Sequence, residues 1–398
     1  MKILSVLHFP VFGGPHNRNA KVGAILRSEG VDSTLLLPET AAEAAARVEA
    51  AGCKTLMMPL ARLRKSLNPA EHVRYTLAFR HNVRDIRRII REKEIDVVVV
   101  NGLMNPHAAI AAKRERVPVV WQILDSVPPT MVRRFMRPML MRYATVIMCT
   151  GRKVAEDHLG DALSQKPLIL FHPPVDLKRF EPRSETRGAA RAELGFGESD
   201  VVVGNIANVN PMKGHMTFVR AAAAAKRVDP RLRFVIFGQT YDNHRPYTER
   251  LLAEAASLGL EFGKDLQIVN PGTRVAEVAQ ALDIYWLTSE PRSEGISTAA
   301  EEAMALGLPV ISTETGSMSE IVRDGESGFM VAPYDVEAIG RHTLALASDE
   351  ALRKRLGNGA RAFALANFAA ERCAALHLDA YRAACGHARA VQGLQTSP

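Results

Sequence analysis

Asp200 to Val228 reads DVVVGNIANVNPMKGHMTFVRAAAAAKRV, and three kinds of segment follow one another in it. The first, DVVVGNIA, is short, apolar and β-branched, which suits a strand buried on both faces. The loop around NPMKG is built from Asn, Pro and Gly, residues of a turn. From Met216 to Val228 the apolar residues recur at helical spacing, with an Ala-rich core at Ala221 to Ala225. Strand, tight loop and helix in that order are the repeating part of a parallel α/β sheet.

The same pattern extends in both directions. Downstream, LRFVIFG, LQIVN, DIYWLTS and LPVIST are strand-like and are separated by helical stretches such as Pro246 to Leu258. Upstream, KILSVLHF, STLLLP, IDVVVVN, VPVVWQIL and TVIMCT alternate with Arg- and Ala-rich helical segments, Tyr75 to Lys93 among them. Between the two series lies FHPPVDLKRFEPRSETR, where Pro173, Pro174 and Pro182 punctuate a polar run that fits neither period. The expectation is an α/β chain of two doubly wound, Rossmann-like domains, 1–172 and 173–398, facing each other across a cleft. The final helix is a candidate to pack back on the first domain.

Composition agrees with two globular domains: of 398 residues 47% are hydrophobic and 24% charged, which excludes a disordered or fibrous chain. The apolar runs fall far short of the roughly 20 residues that span a bilayer, and the N-terminal MKILSVLHF is too short for a signal-peptide core. Cys53, Cys149, Cys373 and Cys385 are scattered and form no C-x-x-C pair, so neither a disulfide framework nor a zinc site is indicated. A cytoplasmic location is expected. Residues 1–172 hold 26 Lys and Arg against 15 Asp and Glu, a balance of +11, whereas the remainder is −3, so the basic character belongs to the first half. Aromatic residues do not interleave with that charge as nucleic-acid modules require, and no nucleic-acid partner is expected.

Chemistry concentrates in Ser289 to Val310, SEPRSEGISTAAEEAMALGLPV. The strand DIYWLTS is expected to end near Ser289, the loop EPRSEGIS to follow, and a helix to begin at Thr298. Thr298 and Glu301 have the spacing of a capping box, which gives Glu301 a structural role. Gly295 permits a turn that would present the amides of Ile296, Ser297 and Thr298 outward, where the helix dipole favours a phosphate. Glu294 and Glu302 would repel that phosphate, so their suitable partners are neutral hydroxyls. An anion flanked by hydroxyl-rich groups describes a nucleotide sugar.

These residues also carry a resemblance. EGISTAAEEAMALGLPVISTETGSMSEIVRDGESGFMVAP closely resembles the E-x7-E region of family 4 retaining glycosyltransferases of the GT-B fold, and GG at 13–14, PPVDLKRF, NPMKG and ALDIYWLTS extend it over nearly the whole chain. The resemblance implies transfer of a sugar from a nucleoside-diphosphate sugar to an acceptor hydroxyl. It also implies that Glu294 contacts the donor sugar, Glu302 the ribose and Lys213 the diphosphate, and places Gly13 and Gly14 near phosphate or acceptor. No D-x-D triplet occurs, so no metal is expected. Two positions depart from the family pattern. Asn208 stands where many relatives have Arg, leaving Arg18, His215 and Arg274 as alternative cations. Leu124-Asp125 stands where a His-Asp is usual, leaving Asp125 to meet the acceptor and His107 as another histidine for the cleft. A nucleotide-sugar epimerase of the same fold and a non-catalytic sugar-nucleotide-binding protein are the alternatives.

The basic first half suggests where the protein works. Arg62, Arg64, Lys65, Arg74, Arg80, Arg84, Arg87, Arg88 and Arg91, with Arg133, Arg134, Arg137 and Arg142 in MVRRFMRPMLMRY, would be drawn to anionic lipid. Met131, Phe135 and Met139 recur between those arginines at helical spacing. The expected acceptor is therefore a lipid-linked or membrane-proximal glycan, reached from the inner face of the plasma membrane.

Overall fold

The computed structural model describes residues 1–60 and 69–395, and side chains within 1–60 and 76–386. Arg62, Arg64, Lys65 and the side chain of Arg74 lie outside those residues. The chain forms two compact units, Met1–Pro174 with Ala370–Pro398, and Val175–Ala369.

The first unit is built on a seven-stranded sheet in the order β3-β2-β1-β4-β5-β6-β7. Its strands are β1 (Lys2–Val6), β2 (Asp32–Pro38), β3 (Lys54–Met58), β4 (Val97–Asn101), β5 (Val119–Ile123), β6 (Val146–Cys149) and β7 (Leu168–Leu170). All pair in parallel, with Ile3 beside Val97 and Val98 beside Val119. The connecting helices are α1 (Gly14–Ser28), α2 (Ala42–Ala50), α3 (Pro69–Glu92), α4 (Pro106–Arg114), α5 (Thr130–Tyr143) and α6 (Arg152–Leu159).

The second unit repeats this plan with β8 (Val201–Ile206), β9 (Leu232–Phe237), β10 (Leu266–Val269), β11 (Ile284–Leu287), β12 (Val310–Thr313) and β13 (Gly328–Val331), in the order β10-β9-β8-β11-β12-β13. Its helices are α7 (Ser184–Glu193), α8 (His215–Val228), α9 (Arg245–Ser257), α10 (Val275–Val278), α11 (Thr298–Ala305), α12 (Val336–Ser348) and α13 (Glu350–Asn367). The last helix, α14 (Ala370–Gln395), belongs to the first unit.

Period two along the strands explains the two cores of the first unit. Val98, Val100 and Trp121 point to one face, against Ile86 and Ile90 of α3, Ala108 and Ala112 of α4 and Leu140 of α5. Val97, Val99 and Val120 point to the other, against Val22 and Leu26 of α1 and Cys373, Leu378 and Tyr381 of α14. In the second unit, Tyr285 and Leu287 meet α11 through Ala300, Ala303 and Met304. Ile284 and Trp286 meet α8 through Phe218, Val219 and Ala222. Both faces of the central strands are covered, which is why they read as unbroken apolar runs rather than as alternating ones.

Candidate active site

In the second sheet β8, β9 and β10 step outward on one side, and the chain then returns to place β11 against the other side of β8. The loops leaving β8 and β11 therefore diverge at a topological switch point, where parallel α/β sheets bind ligands beyond their strand C-termini. Lys213 is on the first loop and Glu294 on the second. Their side chains meet, Lys213 Nζ lying 2.6 Å from Glu294 Oε1. Ser289 Oγ donates to the same oxygen at 2.8 Å. Glu294 is buried, at 8% exposure, so a charge-paired carboxylate is held there in one orientation. Both bonds fall on Oε1.

The backbone enforces this meeting. Thr288 Oγ1 donates to the Lys213 carbonyl at 3.1 Å, and the Glu290 amide donates to the Met212 carbonyl at 2.9 Å. Gly214 adopts φ 65°, and a Cβ there would lie inside the van der Waals envelope of the Thr288 carbonyl oxygen. A third loop, after β12, crosses behind Glu294: the Ser317 amide donates to the Gly295 carbonyl at 2.7 Å. Gly316, at φ 53°, has no room for a side chain beside the carbonyls of Glu294 and Gly295.

α11 begins at Thr298 as expected, but its cap differs from the expected one. Its N-cap is Ser297, one residue earlier than Thr298, and the Ser297 side chain makes no capping hydrogen bond. Glu301 thus sits one position beyond the capping-box place; it is fully buried, and its amide donates to the Ser297 carbonyl at 3.1 Å. The Ser297 amide does not face outward. It is directed at Met318 Sδ, 3.4 Å away, a weak acceptor. The left-handed residue of the loop is Arg292, with φ 64°, rather than Gly295. Ile296 is buried, whereas Thr298 and Glu302 are partly exposed on the first turns of α11. The acidic loop partner that the residues alone did not single out is Ser289, which orients Glu294; its place five residues before Glu294, at a strand end, was the available signal. Glu290 was also missed: it accepts from the hydroxyl of Tyr334, a residue held at φ 66°.

The alternative cations are each engaged elsewhere. Asn208 is exposed, and its Oδ1 accepts from the Gln239 amide at 3.0 Å, tying the loop after β8 to the one after β9. His215 is fully buried at the start of α8, and desolvation, with Lys213 nearby, pushes its pKa down to about 3. It is neutral at neutral pH and adds no positive charge. Arg274 follows the edge strand β10 and is doubly bonded to Glu193, at 3.0 and 2.7 Å. Arg18 lies in the first unit, where its guanidinium donates to Asn101 Oδ1 at 2.6 Å and Gln122 Oε1 at 2.5 Å and stands over the Phe171 ring. Burial lowers its pKa to about 10, so it remains charged inside that core.

The first sheet has its own switch point, between β1 and β4. Gly13 is the N-cap of α1 and Gly14 its first residue, and the Gly13 amide donates to His16 Nδ1 at 3.3 Å. Gly13 has extended backbone angles, so its small size rather than a left-handed turn suits it to a close approach. Asp125 follows β5; its Oδ1 accepts from the Val127 amide at 3.0 Å, and its carbonyl accepts from His158 Nε2 at 2.8 Å. His107 is fully buried in the first turn of α4, edge-on to Phe79. Desolvation, aided by His8, pushes its pKa down to about 4.

That burial has a pH consequence. The folded pKa of His107 lies below the ordinary 6.5, so as pH falls the unfolded chain takes up its proton first. The stability contributed is complete above pH 6.5 and is lost between 6.5 and 4. At pH 5 the loss from this one ring is about 2 kcal/mol. Urea unfolding of the wild type and His107→Leu at pH 7 and pH 5 should show the variant losing less by that amount. Equal losses would mean that the ring is hydrated.

Two family models cover most of the chain. Residues 186–363 match the one described as Glycosyl transferases group 1, and residues 13–164 the Glycosyl transferase 4-like domain. The chain belongs to the GT-B family 4 glycosyltransferases. Its curated relatives include the D-inositol 3-phosphate glycosyltransferase of Nocardia farcinica, 33% identical over 214 residues, 53% of this chain and 46% of the relative. That of Salinispora arenicola is 33% identical over 236 residues, 57% of this chain and 51% of the relative. The chain thus spans about half the length of the curated relatives it matches.

Solved structures share the two-domain GT-B fold. Anabaena Alr3699/HepE in complex with UDP superposes with a TM-score of 0.81 at 18% identity, covering 95% of this chain and 99% of the other. A glycosyltransferase from Rickettsia africae ESF-5 gives 0.79 at 18% identity, covering 96% and 97%. Among the described residues, no group of three or more His, Cys, Asp or Glu is placed to hold a metal ion.

Proposed function

We propose that the protein transfers a sugar, with retention of configuration, from a nucleoside-diphosphate sugar to an acceptor hydroxyl. The observation that carries this reading is the Lys213–Glu294 pair at the second switch point, 2.6 Å apart and next to the start of α11. A cation and an oriented carboxylate side by side suit a donor whose diphosphate leaves as an anion while its sugar hydroxyls are held. Lys213 would take the diphosphate, Glu294 the sugar and Glu302 the ribose. Gly13 and Gly14 would lie near the donor phosphate or the acceptor, and Asp125 would meet the acceptor. Support comes from the relatives named as glycosyltransferases and from the UDP bound to the Anabaena protein.

The test is a binding screen over UDP-, GDP- and ADP-sugars followed by product analysis with and without acceptor, in EDTA. A glycoside formed in EDTA is the expected result. Strict dependence on Mg or Mn would contradict a diphosphate held by Lys213 without a metal, and an isomerised donor without glycoside would make the protein an epimerase. Failure of every donor to bind would leave a non-catalytic protein. Glu302→Ala should weaken donor binding by about 1–3 kcal/mol, the scale of a lost charged hydrogen bond, with little change in turnover at saturation. Titration calorimetry reads it directly, and an unchanged Kd removes Glu302 from the ribose.

The acceptor in this reading is a lipid-linked or membrane-proximal glycan, as in cell-surface polysaccharide or glycolipid assembly, with the protein peripheral on the inner face of the plasma membrane. No helix among the described residues is long and apolar enough to cross a membrane. The basic surface is narrower than its arginine count implied. Arg133 is buried and lies 3.2 Å from Asp157, Arg137 Nε donates to the His158 carbonyl at 3.0 Å, and Arg87 and Arg91 share Glu115. Arg80, Arg134 and Arg142 remain at the surface, as do Met131 and Phe135.

A further inference from the structure

On the face of the first sheet covered by α3, α4 and α5, the helices leave a cavity of about 470 Å3. That is within the ~300–1,000 Å3 typical of small-molecule sites. Phe79 of α3, Ile110 of α4 and Phe135 and Met139 of α5 give it apolar walls. Arg80 and Arg114 are the charged groups among its described lining residues, and both are exposed. Met131 and Phe135, 83% and 80% exposed, stand one turn apart on α5. Arg134, also exposed, lies between them in sequence. Among the described residues, Arg80, Arg114 and Arg134 have no carboxylate within ion-pair distance.

We infer that this cavity takes one hydrocarbon chain of an anionic lipid, with the lipid phosphate held by Arg80 and Arg114 and with Met131 and Phe135 entering the surface of the bilayer. The walls decide the body of the occupant. A sugar phosphate or nucleotide would turn hydroxyls toward Phe and Met side chains that cannot bond them, at the cost of desolvation. A flexible hydrocarbon fits thioether and aromatic walls without that cost. The rim decides the head: uncompensated guanidinium groups match phosphate, which accepts their paired N–H donors. A neutral apolar peptide would leave both arginines unanswered. The inference deepens the membrane-proximal role proposed above and rests on it for its purpose, but the binding it asserts is read without donor or transfer.

The probe is dihexanoylphosphatidylglycerol below its micellar concentration, with the phosphatidylcholine of the same chains as control, titrated into the full-length protein by calorimetry. One saturable site is expected, at least tenfold tighter for the anionic lipid. Met139→Trp, which fills the cavity from α5, should weaken it at least tenfold. Arg80→Glu with Arg114→Glu should abolish the preference for phosphatidylglycerol. Phe135→Ser, at an exposed position, keeps the test valid if the tryptophan variant folds poorly; it should reduce sedimentation with phosphatidylglycerol vesicles several-fold and leave the circular dichroism spectrum unchanged. Absence of saturable binding, equal affinity for the two lipids, or unaltered binding by Met139→Trp would each overturn the inference. So would concentration-dependent dimerisation that Phe135→Ser abolishes, since a second copy would then cover the groove. Donor affinity measured on the same samples separates the two readings: lipid binding without donor binding ends the transferase proposal and leaves the groove standing, and the reverse ends the groove alone.

Discussion

Glu294→Gln is expected to lower turnover by about 100- to 1,000-fold while the protein stays folded. The amide matches the carboxylate in size and still accepts from Ser289, so the loop after β11 keeps its shape. What is lost is the negative charge that pairs with Lys213 across 2.6 Å and, in the function proposed, the strong acceptor for a sugar hydroxyl. Lys213→Ala should remove activity to a similar extent, with an added cost in stability. It strands a carboxylate that is 8% exposed, a penalty of roughly 1–3 kcal/mol. Combining the two substitutions should restore the stability and none of the activity. Single-turnover rates with donor at saturation, together with urea melts of the three variants, check the set. Turnover within threefold of the wild type for Glu294→Gln would remove that residue from the reacting centre.

Gly214→Ala should be the most damaging single-methyl change near the site, destabilising the protein by about 3 kcal/mol or more. Two effects add. The left-handed backbone at φ 65° costs an L-residue roughly 1–2 kcal/mol. The new methyl would also overlap the Thr288 carbonyl oxygen, a backbone atom at the end of β11 that cannot rotate away. Relief requires the loops after β8 and β11 to part, which would separate Lys213 from Glu294. Melting temperature should fall by about 6–12 °C for a unit of this size, and donor affinity should fall with it. A melting temperature within 2 °C of the wild type would show that the loops do not approach as described.

How legible the chain is depends on where each element lies. Runs such as VVVV at Val97 to Val100 are recognisable because burial on both faces leaves no polar residue to confuse the pattern. The strands β3, β7 and β13 escaped detection. Each is an edge strand of five residues or fewer, with partly exposed side chains, so its apolar run is too short to stand out as a strand. The capping box proposed for Thr298 and Glu301 failed for a related reason. Caps are set by the preceding turn, and the loop after β11 turns at Arg292 and places the N-cap at Ser297, one residue before Thr298.

The chemistry of the site was written in residue types: two carboxylates, a lysine after a strand, and glycines where chains approach. Those are local choices, and a reader of one segment can find them. That Lys213 and Glu294 touch is not local. They are 81 positions apart, and their contact follows from β11 inserting beside β8 rather than beyond β10, a crossover no single segment encodes. The fate of the spare cations was equally hidden. His215, Arg18, Arg274 and Arg133 read alike as charge available to a ligand. Packing made the first neutral by desolvation and gave the others to Asn101 and Gln122, to Glu193 and to Asp157. Charge is a property of the residue only in water; inside a fold it belongs to the neighbours that solvate it.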